Sequence, residues 1–371
     1  MHRESVNRQW GRLKKSGLLL LMILWTGWQQ VALAQDPLFT QFQYSPVYLN
    51  PAFTGTGKNE FRATVNSRVQ WVNLQAPLQS YNANADYYFS GPKMSLGLMA
   101  NRFDEGYLKT SQAYLLFAKD FGSDEVNCRD WYVNVAFQGG LGTRNANRNK
   151  LLFPDQIDVN GPIGMPSQFE LFQSGNKTYL DMSVGMVFCY KNIMGGAAWQ
   201  HVNEPVNGLL GSGDDSRLPR RYTFHLSYIN SPPDMDVADD RILVKPTIIY
   251  QQQGVSNSLV VGSLFEFPGW VIGGGLWYRN NFGSGQNWGF TENHTINIGI
   301  TLKLGTVKNH YNGDAAARFN TGFSYEAELS RPGIRHTKGS MEGGLLYERN
   351  FNGKAECRSV DCPVRYPWVF F

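Results

Sequence analysis

The residues able to do chemistry in this chain are six histidines, four cysteines and a few closely spaced carboxylates. No Gly-x-Ser-x-Gly elbow and no His-Glu-x-x-His pair occurs, so neither a serine hydrolase centre nor a zinc-protease helix is present in local sequence. Gly55-Thr56-Gly57-Lys58 lacks the spacing and the following Ser or Thr of a phosphate-cradling loop and reads as a turn before a strand. Asp234, Asp236, Asp239 and Asp240 offer the oxygen ligands a hard cation wants, but not at calcium-loop spacing, and read as a solvated acidic turn. His225 and His294 fall on strand-like segments as single polar groups, while Asp181, Glu342 and Glu348 are expected to face a lumen, tuning a pore or hydrogen-bonding across strands. These residues predict no catalytic centre, no cofactor and no metal.

The elements that would position such residues follow from composition and periodicity. Of the 371 residues 17% are charged and 14% aromatic, which argues against a disordered or nucleic-acid-coating chain. The formal charge of +4 is carried by residues 1–34, and the rest of the chain sums to zero, leaving no global field to recruit nucleic acid. Those first residues have the parts of a secretory signal: a basic stretch ending at Lys14 and Lys15, an apolar run from Leu18 to Trp25, and Ala32-Leu33-Ala34 as a cleavage site. Cleavage is expected after Ala34, leaving Gln35 first.

Beyond Gln35 no apolar run approaches the ~18 residues of a spanning helix. The chain instead alternates apolar with small or polar residues in segments of about ten, the period of a strand with one greasy and one wet face. From His294 to Leu304, Ile296, Ile298, Ile300, Leu302 and Leu304 oppose Thr295, Asn297, Gly299, Thr301 and Lys303. About fourteen such segments occur, each read as long enough for the 9–11 residues of a tilted transmembrane strand. Aromatics at strand ends, Tyr87-Tyr88-Phe89, Trp131-Tyr132 and Trp277-Tyr278, suit the lipid headgroup level. The expected fold is all-β: a transmembrane outer-membrane β-barrel of about 14 antiparallel strands over 60–351, with a plug-like segment at 35–59 and a periplasmic tail at 352–371. A soluble β-sandwich is the alternative.

With the N-terminus in the periplasm, the turns at Ser90-Gly91-Pro92, Lys191-Asn192-Ile193 and Glu266 to Gly269 are expected to be periplasmic and short, and connections near 144–177 and 203–219 extracellular and long. The short connection near Gln252-Gln253-Gly254 and the acidic one at Asp234 to Asp240 break that rule. Cys128, Cys189, Cys357 and Cys362 all fall on the periplasmic side, where disulfides are permitted; Cys128 to Cys189 and Cys357 to Cys362 are one of three pairings.

The first mature residues carry a specific motif. Gln35-Asp36-Pro37-Leu38-Phe39-Thr40-Gln41-Phe42, then Tyr44-Ser45-Pro46, then Asn50-Pro51-Ala52-Phe53-Thr54-Gly55 resembles the opening of the PorP/SprF family, and Arg68-Val69-Gln70-Trp71 with Pro77 resembles its following segment. The resemblance implies an outer-membrane barrel of Bacteroidota in the type IX secretion system, linked to gliding motility or protein export. It also implies contact with the periplasmic ring through a peptidoglycan-binding lipoprotein, and a secreted or surface-displayed partner such as an adhesin. An outer-membrane channel or hydrophobic-ligand transporter is the alternative function. Read from the residues alone, Pro37, Pro46 and Pro51 deny the opening segment regular pairing. Its five aromatics, Phe39, Phe42, Tyr44, Tyr48 and Phe53, are costly to leave in water, so a lumen plug or a docked partner surface is expected.

Overall fold

The computed structural model describes residues 36–57, 60–122, 131–146, 157–158, 161–162, 176–190, 192–209, 216–230, 242–267, 271–283, 294–308, 315–330 and 333–349. Fourteen long strands form a closed antiparallel barrel. In chain order they are β1 (Phe61–Gln70), β2 (Leu78–Phe89), β3 (Met94–Glu105), β4 (Leu108–Gly122), β5 (Trp131–Ala146), β8 (Asn176–Tyr190), β9 (Ile193–Gln200), β10 (Arg221–Tyr228), β11 (Leu243–Gln253), β12 (Ser256–Glu266), β13 (Ile272–Gly283), β14 (His294–Lys308), β15 (Ala315–Glu328) and β16 (Ser340–Arg349). Two short pieces, β6 (Ile157–Asp158) and β7 (Gly161–Pro162), make a separate two-stranded ladder in the connection between β5 and β8. Each barrel strand pairs with its sequence neighbour, and the ring closes where β1 meets β16, from Phe61↔Arg349 to Gln70↔Ser340.

The faces are inverted relative to a soluble core. Leu98, Leu115, Ile298, Ile300 and Phe323 stand exposed on the outside, whereas Thr64, Asn66, Asn82, Asn134 and Thr223 are almost wholly buried inside. That arrangement satisfies every strand backbone in a closed ladder and offers apolar side chains to lipid. β9 and β10, of 8 residues each, are shorter than the span read from sequence, and the two long connections begin and end on strands, at 147–175 and 201–220.

Aromatics ring the end of the barrel at which β1 starts: Phe89, Phe121, Trp131, Tyr190 and Tyr228 are all exposed there. The girdle drawn from sequence needs one correction, because Tyr88, Tyr132 and Trp277 point inward and are buried. Adjacent strand residues occupy opposite faces, so only one of each neighbouring aromatic pair can reach lipid. Trp277 turns its ring onto Phe42 of the opening segment, 5.9 Å away at 82°.

Candidate functional site

The opening segment lies inside the barrel. Its local shape is set by proline: a 3-10 turn at Phe42–Tyr44, a single helical turn at Pro46–Leu49 and a second 3-10 turn at Pro51–Phe53, with Pro46 and Pro51 at first helical positions where no N–H is needed. Asn50 caps the last turn, its side chain accepting from Ala52 N at 2.9 Å. From Phe39 to Gly57 every residue is buried, so each backbone group needs a partner inside the protein.

The wall supplies those partners, mostly as side chains reaching for segment backbone. Asn134 of β5 donates to the carbonyls of Ala52 (2.7 Å) and Thr54 (3.1 Å), Gln200 of β9 and Arg221 of β10 donate to Tyr48 O (2.9 and 3.1 Å), and Arg62 of β1 donates to Phe53 O (2.6 Å). Asn50 returns the favour, donating to Met186 O and Ala197 O and lying 3.1 Å from His225 Nε2. His225 is thus on a strand as its pattern indicated, but it is engaged by the segment, with Phe53 tilted against its ring at 5.1 Å.

Two charged clusters hold the segment at opposite ends of the barrel. Where β1 starts, Gly55 N donates to Asp86 Oδ1 at 3.0 Å, and Arg62 bridges to the other Asp86 oxygen at 2.8 Å. Gly55 has φ +71°, and a Cβ there would fall 1.7 Å from Ser95 Oγ, so only glycine fits. At the far end, where β1 finishes, Asp36 takes His201 Nε2 at 2.6 Å, Arg221 at 3.4 Å and Gln253 Nε2 at 3.3 Å, while Asp36 N donates to Gln253 Oε1 at 2.8 Å. His201 Nδ1 meets Asp181 Oδ2 at 2.8 Å, and Tyr114 donates to the same oxygen at 2.6 Å. Burial alone would lower the His201 pKa, but the Asp36 and Asp181 carboxylates override it and push it up to about 9. Burial likewise works to raise the Asp36 carboxyl, and the charges of His201 and Arg221 reverse this and hold it well below the carboxylate range. Both imidazole nitrogens are committed to carboxylates, which leaves neither free to act as a general base.

A third cluster sits across the β1–β16 closure. Glu342 of β16 accepts from Thr40 N (2.8 Å), Gln41 N (2.9 Å) and the Thr40 hydroxyl, and from Asn66 Nδ2 (2.8 Å) and Arg68 Nη1 (3.3 Å) of β1. Arg68 also bridges to Glu326 of β15 at 3.0 Å.

Of the motif residues singled out from sequence, Asp36, Pro37, Phe39, Gln41, Pro46, Asn50, Pro51, Ala52, Gly55 and Arg68 therefore belong to one connected interior. Pro37 joins it through its carbonyl, which accepts from Tyr48 OH at 2.7 Å, and Phe39 stands edge-on to Tyr48 at 5.1 Å. Gln70 and Trp71 instead line a cavity of about 390 Å³ at the far end with Arg279, Asn281, Glu328 and Glu326, the last being also the partner of Arg68. Cys189 is buried at the near end of β8 and forms no disulfide with a described residue. Gln35, Cys128, Cys357, Cys362 and the acidic stretch Asp234 to Asp240 lie outside the described residues. Sequence reasoning missed His201, Arg221, Gln200, Asn134 and Asp86. All but His201 sit on wet positions of alternating strands, which was the available signal.

No curated protein sequence matches the chain. Among solved structures, the TodX monoaromatic hydrocarbon channel with the deltaS2 change aligns at a TM-score of 0.50 and 11% identity, covering 83% of this chain and 94% of that one. The CymD monoaromatic hydrocarbon channel aligns at 0.48 and 9%, covering 83% and 93%, and the Acinetobacter baumannii outer membrane protein Omp33 at 0.38 and 9%, covering 79% and 98%. At such identity the likeness to TodX speaks for the barrel fold alone. The family model described as type IX secretion system membrane protein PorP/SprF matches residues 31–342, which takes in the motif segment, the far-end clamp and the barrel up to Glu342. The chain belongs to the PorP/SprF family of type IX secretion system membrane proteins, as an outer-membrane β-barrel.

Proposed function

We propose that this barrel is a non-catalytic platform of the type IX secretion system. It holds a secreted or surface-displayed partner, a gliding adhesin or similar, on its outer connections and couples that partner to the periplasmic machinery, with a peptidoglycan-binding lipoprotein as the link to the ring. The observation that carries this reading is the occupied interior: residues 39–57 are buried against the wall and hydrogen-bonded around it, so the polar lumen that would serve a channel is taken up by the protein's own chain. Work must then be done at the ends. The near-end turns at 90–93 and 191–192 are short, and the connections at 147–175 and 201–220 are long and at the far end, which supports a periplasmic near end and an extracellular far end. The outer membrane lipid surrounds the exposed apolar belt.

The test is purification in mild detergent from the native outer membrane, followed by mass spectrometry of what accompanies the barrel and by planar-bilayer conductance. Stoichiometric secreted or machinery proteins and no steady conductance are expected, with partner display lost when 147–175 is shortened while the barrel still inserts. A barrel that purifies alone and conducts would replace this reading with a channel or hydrophobic-ligand transporter.

A further inference from the structure

The opening segment packs most heavily on β5 and β8, but its hydrogen bonds also gather at the place where the barrel closes. Strand β1 begins at residue 61 and its partner β16 ends at residue 349, so their pairing joins the most distant strands in the sequence. Pairings of that kind gain nothing until the loop-closure entropy has been overcome, and every other strand pair in the ring joins near neighbours in the chain.

Across this seam the segment touches both partners along its length. Glu342 and Arg68 are register partners on β16 and β1, and between them they hold Thr40 and Gln41 by the two backbone N–H groups, the Thr40 hydroxyl and a return bond from Gln41 Nε2 to Glu342 O at 3.1 Å. Asn66 of β1 reaches Glu342 at 2.8 Å and Gln41 O at 3.4 Å, adding a further link from segment to both strands. One turn on, Tyr44 fills a notch made by two facing glycines, Gly322 of β15 and Gly344 of β16. A Cβ on either would fall 2.3–2.4 Å from the tyrosine ring. Towards the near end Arg62, the register partner of Glu348, holds Phe53 O, and a Cβ on Gly57 would come within 2.8 Å of Glu348 Oε1.

The dependence is mutual. Without the segment, the buried Glu342 carboxylate loses three donors on the strand that must pair last. Without Glu342, two buried N–H groups of the segment have no acceptor, and leaving a buried donor unsatisfied is costly. We propose that the opening segment is an internal closing template for the barrel: it docks on the inner faces of β1 and β16 and is in place when those strands zip, so that closure and docking are one event. The prolines serve this role, since a segment that cannot offer a strand edge cannot insert into the gap it is meant to close.

The experiment compares the seam with an ordinary strand pair in the full-length protein, with the native cysteines replaced. Cysteines at Val65 and Leu345 are lipid-facing register partners across β1–β16, and cysteines at Leu98 and Leu115 are the equivalent across β3–β4. Glu342→Ala is expected to lower the seam cross-link several-fold while sparing the control pair, with Glu342→Gln intermediate. Asn134→Ala and Gln200→Ala, which cut segment contacts far from the seam, are expected to spare both. In a folding time course into vesicles, the seam cross-link and protease protection of residues 39–57 are expected to appear together. Equal loss at both pairs in every variant, or a seam that cross-links at wild-type rate when residues 36–57 are deleted, would overturn the proposal.

Discussion

His201 is the residue whose ionisation the structure ties most directly to the position of the opening segment. Its pKa is pushed up to about 9 from an ordinary 6.5, so its contribution is complete below 6.5 and is lost as pH rises through about 9. Asp36 has the opposite sense: its depressed carboxyl contributes above its ordinary value of 3.8 and fails only in strong acid. Between those limits the imidazolium bridges Asp36 and Asp181 with two charge-assisted bonds, each of a kind worth about 1.5–3 kcal/mol. His201→Gln is therefore expected to lower refolding stability at neutral pH by about 2 kcal/mol. The gap to wild type should close as pH passes 9, because Arg221 keeps holding Asp36 in both proteins. Denaturant titrations of the two proteins in detergent at several pH values would show it. A gap that stays constant from pH 6 to about 10 would mean that the bridge is held by neutral hydrogen bonds and that the proton plays no part.

At the scale of elements, strands were legible because lipid outside and a polar interior impose a strict period of two. The run from His294 to Leu304 shows this best: Ile298 and Ile300 are exposed while Thr295 and Asn297 are buried. Period places Trp131 with Val135 and Phe137 on the lipid face and Tyr132 with Asn134 inside, as found, but did not say which member of Trp277-Tyr278 faces lipid, and it is silent about residues off the strands. The path of the opening segment was invisible for that reason. It pairs with no strand, and many of its bonds run between wall side chains and its own backbone, so its aromatics pointed to a buried segment without showing its course. His201 was hidden in the same way, one residue past β9 at the head of a loop. The inverted faces carry an energetic consequence. Leu115 is 69% exposed at the middle of β4, so Leu115→Arg should cost about 2–4 kcal/mol for insertion into vesicles, the range for a basic residue near the midplane. Arg at Tyr107, in the turn beyond β3, should cost about 1 kcal/mol or less, as it lies near the interface. Equal costs at the two sites would contradict the membrane placement of the belt.

For the whole molecule the decisive feature is direction. An even number of antiparallel strands places the start of β1 and the end of β16 at the same end of the barrel, and both termini would ordinarily emerge there. Here the segment ahead of β1 runs the length of the interior, with Gly55 on Asp86 at the near end and Asp36 on His201 and Gln253 at the far end. A chain that threads its own barrel in this way presents residue 36 on the side opposite the end of β16. With short turns marking the periplasmic side, residue 36 would lie on the cell-surface side, beside the long connections proposed to hold the partner and opposite to the periplasmic N-terminus expected from sequence. An epitope inserted just ahead of Asp36 should thus be labelled by antibody on intact cells, and one placed in the 352–371 tail only after the outer membrane is permeabilised. If both epitopes stay hidden until permeabilisation, the segment enters from the periplasm and turns back, and the outer connections alone face the partner. If instead the tail is labelled on intact cells and the epitope ahead of Asp36 is not, the barrel lies the other way up. The short turns would then be the exposed ones, and the platform would have to hold its partner from within the periplasm.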